Sequence, residues 1–160
     1  DQNKPYLYMQ PKKLIAHRGN ITGPQPDREN RFDYLIEAIT AGYDVEVDVW
    51  KAGGAWFFGH NGPSYSVTLT QIQEIAPHAW FHIKNVAAGI DLGMRGMHTF
   101  DHDQAPYAYT SRGVKWSHRG EPNLLGIVCM PNLDTEQELI RNCYGVCHDY
   151  LDRVIAIQNA

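Results

Sequence analysis

The chain has 160 residues, 43% hydrophobic and 20% charged, a balance that predicts one globular domain over residues 1–160 and not a disordered segment. A formal charge of −4 gives no global basic field for nucleic acid. Apolar runs such as residues 55–58 and 124–130 are far too short to cross a bilayer.

The first apolar run, residues 14–16, ends in His17-Arg18-Gly19 and reads as a strand delivering polar groups at its C-terminal end. A Gly/Pro-rich loop, residues 23–26, follows. Phe32, Leu35, Ile36 and Ile39 then recur at i, i+3, i+4, i+7, the spacing of an amphipathic helix, and Gly42 closes it. From Tyr43 to Trp50 the alternation is strict, with Val45, Val47 and Val49 on one face and Asp44, Glu46 and Asp48 on the other. Gly53-Gly54 makes a tight turn into a third strand, residues 55–59, which ends at His60. A short helix over about residues 70–76 precedes a fourth strand, Ala79–Ile83, ending at Lys84.

Beyond Lys84, residues 97–100, 107–110, 124–130 and 145–147 read as strands, and 135–142 as a helix capped by Asp134 with Gln137 three residues on. Residues 107–129 look like a hairpin with Ser117-His118-Arg119-Gly120 at its turn. Roughly eight strands with polar C-terminal ends predict an α/β fold, a compact or reduced (β/α)8 TIM-type barrel. Such barrels usually run to about 250 residues, so this one would have lost much of its outer helical ring. An open α/β sheet is the alternative. Apolar flanks left uncovered by missing helices predict a homo-oligomer.

Lys4, Lys12 and Lys13 surround no apolar signal-peptide core. Cys129, Cys143 and Cys147 are odd in number and contain no Cys-x-x-Cys pair, which argues against a disulfide framework and fits a reducing compartment. A cytoplasmic location is expected from both features. The three cysteines read as small buried hydrophobes.

The chemistry concentrates on one strand. Glu46 and Asp48 lie two residues apart, so both carboxylates share a face at a Cα separation of about 7 Å. Such a pair repels and is costly to desolvate unless a cation lies between them, and oxygen ligands suit a hard divalent ion such as Mg²⁺ or Ca²⁺. His17 and His60, each closing a strand beside that pair, read as an acid and a base. Arg18 offers a fixed positive charge for a phosphate. His78, His98 and His118 read as structural; Asp101-His102-Asp103 reads first as a solvated loop, with a metal- or phosphate-facing group at a strand end as the alternative.

Taken in order, His17-Arg18-Gly19, Arg28-Glu29-Asn30-Arg31, Val45-Glu46-Val47-Asp48-Val49, Phe58-Gly59-His60-Asn61, Ile83-Lys84 and Cys147-His148-Asp149-Tyr150 resemble the glycerophosphodiester phosphodiesterase family. The dense part of the resemblance covers residues 14–85. It implies that His17 and His60 are the acid–base pair, that Arg18 contacts the phosphate, and that Lys84 supports substrate charge. It also implies that Glu29, Glu46 and Asp48 surround a divalent metal (Mg, Ca or Mn) and that the partner is a small phosphodiester.

Three departures stand out. Arg28 replaces the family's proline, Asn61 its aspartate, and His82 the glutamate two residues before the lysine. His82 shares the face of Lys84 and would complete a mixed oxygen–nitrogen shell, shifting preference from Ca²⁺ toward Mn²⁺ or Zn²⁺. Two rival readings are a barrel that binds phosphate ligands without turnover, and a phospholipase D-like lyase that makes cyclic phosphates. The lyase would need an apolar rim, for which Trp50, Trp56, Tyr65 and Trp80 are candidates, although each reads first as core.

Overall fold

The computed structural model describes residues 12–118 and 121–160. Lys4 and the Arg119-Gly120 part of the second His-Arg-Gly triplet lie outside the described residues. The strands are β1 (Lys13–His17), β2 (Asp44–Ala52), β3 (Ala55–Phe58), β4 (Tyr65–Val67), β5 (Ala79–Ile83), β6 (Thr99–Phe100), β7 (Tyr107–Tyr109), β8 (Lys115–Ser117), β9 (Ile127–Cys129) and β10 (Gly145–His148). The helices are α1 (Phe32–Thr40), α2 (Leu69–Ile75), α3 (Val86–Met94), α4 (Gln137–Asn142) and α5 (Leu151–Gln158).

Seven strands run parallel in the spatial order β6–β5–β2–β1–β10–β9–β8. The remaining three, β3, β4 and β7, pair antiparallel as hairpin extensions. Gly53 and Gly54, at φ 58° and 78°, supply the left-handed turn that joins β2 to β3.

The sheet curls until its ends meet. Phe100 of β6 stacks on Trp116 of β8 with ring centres 4.3 Å apart, and Trp80 of β5 lies 5.7 Å from the same ring. Those rings join Ile15, Ile127, Cys129 and Cys147 in an inner core. Across the seam Ser111 N donates to Thr99 O at 2.7 Å and Thr99 N to Ser111 Oγ at 2.9 Å. No strand ladder links β6 to β8 among the described residues. The architecture is therefore a curled α/β sheet with seven parallel strands and an open seam, and the described residues form no closed ring of eight.

The outer face is apolar because the strands alternate. Val45, Val47 and Val49 pack outward against Leu35 and Ala38 of α1, Ile72 and Ile75 of α2, and Leu92 of α3. Val128 and Val146 pack against Ile140 and Val154 of α4 and α5. Among the described residues no helix follows β6 or β8, which is how the ring is shortened.

Several local expectations are revised. The second helix begins one residue earlier, because Thr68 and Gln71 form a reciprocal capping box. Asp134 does not cap α4. Asn132 Oδ1 instead accepts from the backbone N–H of Asp134 and Thr135, delaying the helix to Gln137. The 107–129 hairpin turns at residues 110–114, where Thr110 N donates to Val114 O at 2.8 Å. Ser117 therefore ends a parallel strand, and His118 sits at the sheet's C-terminal rim and not in a turn. Helices α3 and α5 and strands β4 and β8 were not expected as separate elements.

Candidate active site

The C-terminal ends of the parallel strands surround a cavity of about 260 Å³. Of the residues singled out in the sequence, His17, Arg18, Glu46, Asp48, His60, His82 and Lys84 all line it. Their convergence follows from register. Strand β2 lies between β1 and β5, with His17 opposite Glu46 and Asp48 opposite His82.

Glu46, Asp48 and His82 each offer one ligand atom, and those atoms lie within 4.8 Å of one another. Both acids are almost fully buried. His82 Nδ1 is 3.0 Å from Asp48 Oδ1 and 3.7 Å from Glu46 Oε1. Its Nε2 lies 3.2 Å from the His102 carbonyl oxygen, which only accepts, so Nε2 carries a proton and Nδ1 turns to the carboxylates. With that proton on Nε2, Asp48 Oδ1 is buried beside the Nδ1 lone pair and has no hydrogen-bond partner. An orphaned carboxylate oxygen beside a second acid and an imidazole nitrogen fits a divalent cation, and it is a poor arrangement for a purely structural cluster.

The electrostatics agree. Burial, then the charge of Asp48, raises the Glu46 pKa. Burial would also raise Asp48, but the neighbouring His60 and His82 imidazoles and the Asn30 amide hold it well below the usual carboxylate range. Burial alone would depress His82, yet the two carboxylates beside it, Asp48 and Glu46, bring it to about 10. A proton on His82 and a cation thus compete for the same three groups.

His17 faces Glu46 Oε2 through Nε2 at 3.8 Å and donates from Nδ1 to Asp149 Oδ1 at 2.8 Å. Asp149 also accepts from Asn20 Nδ2 at 3.0 Å, and Asn20 Oδ1 from the Tyr34 hydroxyl at 2.9 Å. Burial opposes protonation of His17, but the Asp149 hydrogen bond and the Glu46 charge raise its pKa to about 9.

Arg18 occupies the left-handed region at φ 55°, with its N–H held by the backbone and side-chain oxygens of Glu46 at 3.1 and 3.2 Å. Its guanidinium reaches Glu29 Oε1 at 3.3 Å, His60 Nδ1 at 2.9 Å and Asp48 Oδ2 at 3.5 Å. His60 is positioned by Gly59, where an added Cβ would lie 2.2 Å from the Gly62 carbonyl oxygen. Lys84 borders the cavity beside Trp50, 6.0 Å from its ring centre.

Glu29 is not brought into the ligand group. One of its oxygens takes Arg18 and the other takes Gln25 N at 2.8 Å, so both are committed elsewhere. Trp56 and Trp80 are buried and form no rim. The aromatic wall is instead Phe100 and Trp116. His102 and Asp103, for which the strand-end position leaves a metal- or phosphate-facing role open, also line the cavity, as do His118 and Cys129. Asn30, at φ 66°, donates to Asp48 Oδ2 at 2.9 Å and accepts from Asp48 N at 3.0 Å, a clamp that sequence spacing did not reveal.

A curled, mostly parallel α/β sheet with an acid pair and strand-end histidines at its C-terminal mouth defines a barrel-like α/β architecture. Among solved structures, the glycerophosphodiester phosphodiesterase from Agrobacterium tumefaciens is similar to this chain with a TM-score of 0.55 and 13% identity, covering 94% of this chain and 100% of that one. A protein from Silicibacter pomeroyi assigned as a glycerophosphoryl diester phosphodiesterase is similar with a TM-score of 0.50 and 12% identity, covering 94% of each chain. No protein-family profile matches the sequence, and no curated protein does. The chain is thus similar in fold to glycerophosphodiester phosphodiesterases.

Proposed function

We propose that the chain hydrolyses phosphodiesters with a divalent cation, and that a glycerophosphodiester is the substrate its fold favours. The observation that carries the reading is the Glu46–Asp48–His82 group, with Asp48 Oδ1 unpartnered, between two strand-end imidazoles in one cavity. Glu46, Asp48 and His82 Nδ1 would hold the cation, and their mixed donor set favours Mn²⁺ or Zn²⁺ over Ca²⁺. When bound, such an ion supplies Lewis acidity that makes phosphorus more electrophilic.

The remaining steps belong to the chain's own side chains. Arg18 gives the phosphate a fixed charge, with Glu29 orienting it, and Lys84 adds a second charge at the rim. His17, with a pKa near 9, carries a proton at neutral pH and is the donor to the leaving alkoxide. Asp149 holds its Nδ1 proton, leaving Nε2 to make the transfer. His60 is the base. Once Arg18 turns to the phosphate, His60 Nδ1 can donate to Asp48 Oδ2, now 3.6 Å away, and Nε2 is left with a free lone pair.

Hydrolysis of bis-p-nitrophenyl phosphate and of a glycerophosphodiester tests the reading, with chelator and with Mn²⁺ added back. Turnover should vanish with chelator and return with Mn²⁺. It should fall about 10²- to 10⁴-fold in His17→Ala and in His60→Ala. A Mn²⁺-loaded protein that binds the diester yet never cleaves it would sink the hydrolase reading in favour of a phosphate-binding barrel.

A further inference from the structure

We infer that Cys129 and Cys147 are a redox modification site in the cavity floor, a dithiol that a hydroperoxide converts to a disulfide. The inference rests on register. Cys129 ends β9 and stands directly opposite Cys147 in the parallel partner β10. Both side chains point to the inner face, where they share a core with Ile15 and Trp116. Adjacent strands are about 4.8 Å apart, inside the roughly 4.4–6.8 Å window that a disulfide requires between Cα atoms.

Access and activation differ between the two sulfurs. Cys129 borders the cavity and is therefore within reach of a small oxidant, whereas Cys147 is wholly enclosed. The Cys147 and His118 side chains lower the Cys129 pKa, while burial raises that of Cys147. One thiol is thus set up as the attacking group and its neighbour as the resolving one. The thiols belong to no three-ligand metal group among the described residues, so a soft-metal site is not the reading.

The chemistry balances without a further reactant. The Cys129 sulfur attacks one oxygen of the hydroperoxide, the O–O bond breaks, and the departing alkoxide or hydroxide takes a proton and leaves as alcohol or water. The Cys147 sulfur then attacks the resulting sulfenic acid, the S–O bond breaks, and hydroxide leaves as water with the Cys147 proton. Two thiols are oxidised and one peroxide is reduced. A dithiol reductant reverses the change.

Cys143 is a built-in control. It lies on the outer face, bonded to the Ile140 and Gly145 carbonyl oxygens at 3.7 and 3.4 Å, away from the cavity. Hydrogen peroxide treatment followed by thiol titration in denaturant should leave one of the three thiols and remove two hydrogens from the intact mass. Peptide mapping should find Cys129 joined to Cys147, and dithiothreitol should restore all three thiols. In Cys147→Ser, Cys129 should instead be trapped by dimedone as sulfenic acid. In Cys129→Ser, Cys147 should stay reduced. Circular dichroism of each variant checks that the fold is retained. Persistence of all three thiols under peroxide that oxidises a small-molecule thiol, or a disulfide through Cys143, would overturn the inference.

Discussion

Asp149→Asn separates charge from shape at the site. The substitution keeps an oxygen to accept from His17 Nδ1, now at 2.8 Å, but removes the negative charge. His17 is held at a pKa of about 9, against 6.5 unperturbed, although burial works in the other direction. One pKa unit is about 1.4 kcal/mol, so the shift favours the imidazolium in the folded protein by about 3 kcal/mol. Asp149 shares that effect with Glu46, and the variant should lose about 1–2 kcal/mol of stability at pH 7. The sign of the pH dependence is fixed by a raised pKa. The contribution is fully present below pH 6.5 and disappears as pH rises through about 9. Urea unfolding should therefore separate wild type and variant at pH 7 and bring them closer at pH 10. NMR titration of the imidazole nitrogens should place His17 at least a unit lower in the variant. An unchanged His17 titration, or a stability gap as large at pH 10 as at pH 7, would refute the assigned pairing.

Two further outcomes follow from buried polar groups. Asn30→Ala removes both hydrogen bonds to Asp48 and leaves a buried backbone N–H without a partner; a loss of about 2–4 kcal/mol in urea unfolding is expected, and a loss under about 1 kcal/mol would mean the clamp contributes little. His98, buried against Trp80 and bonded to Thr110 Oγ1 at 2.7 Å, is lowered to about 4 by burial and then by the Arg112 charge. Below pH 6.5 the unfolded chain takes up a proton that the folded protein refuses, so stability should fall between pH 6.5 and about 4, by about 1–2 kcal/mol after allowing for solvent screening. His98→Gln should flatten that slope, and an equal slope in both proteins would count against the assignment.

What the sequence disclosed was what local period can encode. The alternation of β2 places Glu46 and Asp48 inward and three valines outward, as the structure has it. Helix α3 escaped notice because Val86, Ile90 and Met94 are exposed while Ala88 and Leu92 are buried, so apolar residues surround it and Gly89 and Gly93 interrupt it. Helix α5 is short, eight residues, and buries only Leu151 and Val154 fully. The partners of the site escaped for a different reason. Asp149 lies 132 residues from His17 in the chain, and only the pairing of β1 with β10 brings them together. His118 looks like a turn residue because a glycine follows it two positions on, whereas the turn that pairs β7 with β8 lies at residues 110–114, around Gly113.

His82 shows how closely chemistry depends on register here. Its place opposite Asp48 exists because β5 pairs with β2 from Val45–Ala79 through Val49–Ile83. A slip of one residue would turn Phe81 or Ile83 toward the acids and His82 into the outer core. The outer core resists that slip, since Val47 and Phe81 are both fully buried beneath the helices. The same logic explains the two residues with positive φ beside the acids. Asn30 N donates to the Arg18 carbonyl oxygen at 3.1 Å, while Arg18 and Asn30 bind Glu46 and Asp48 respectively. Each conformation costs about 1 kcal/mol or more on its own. They persist because the apolar outer face fixes the strands, and the strained loops then orient the polar groups between them. The hydrophobic pattern thereby sets the geometry in which a cation and a phosphate could be held.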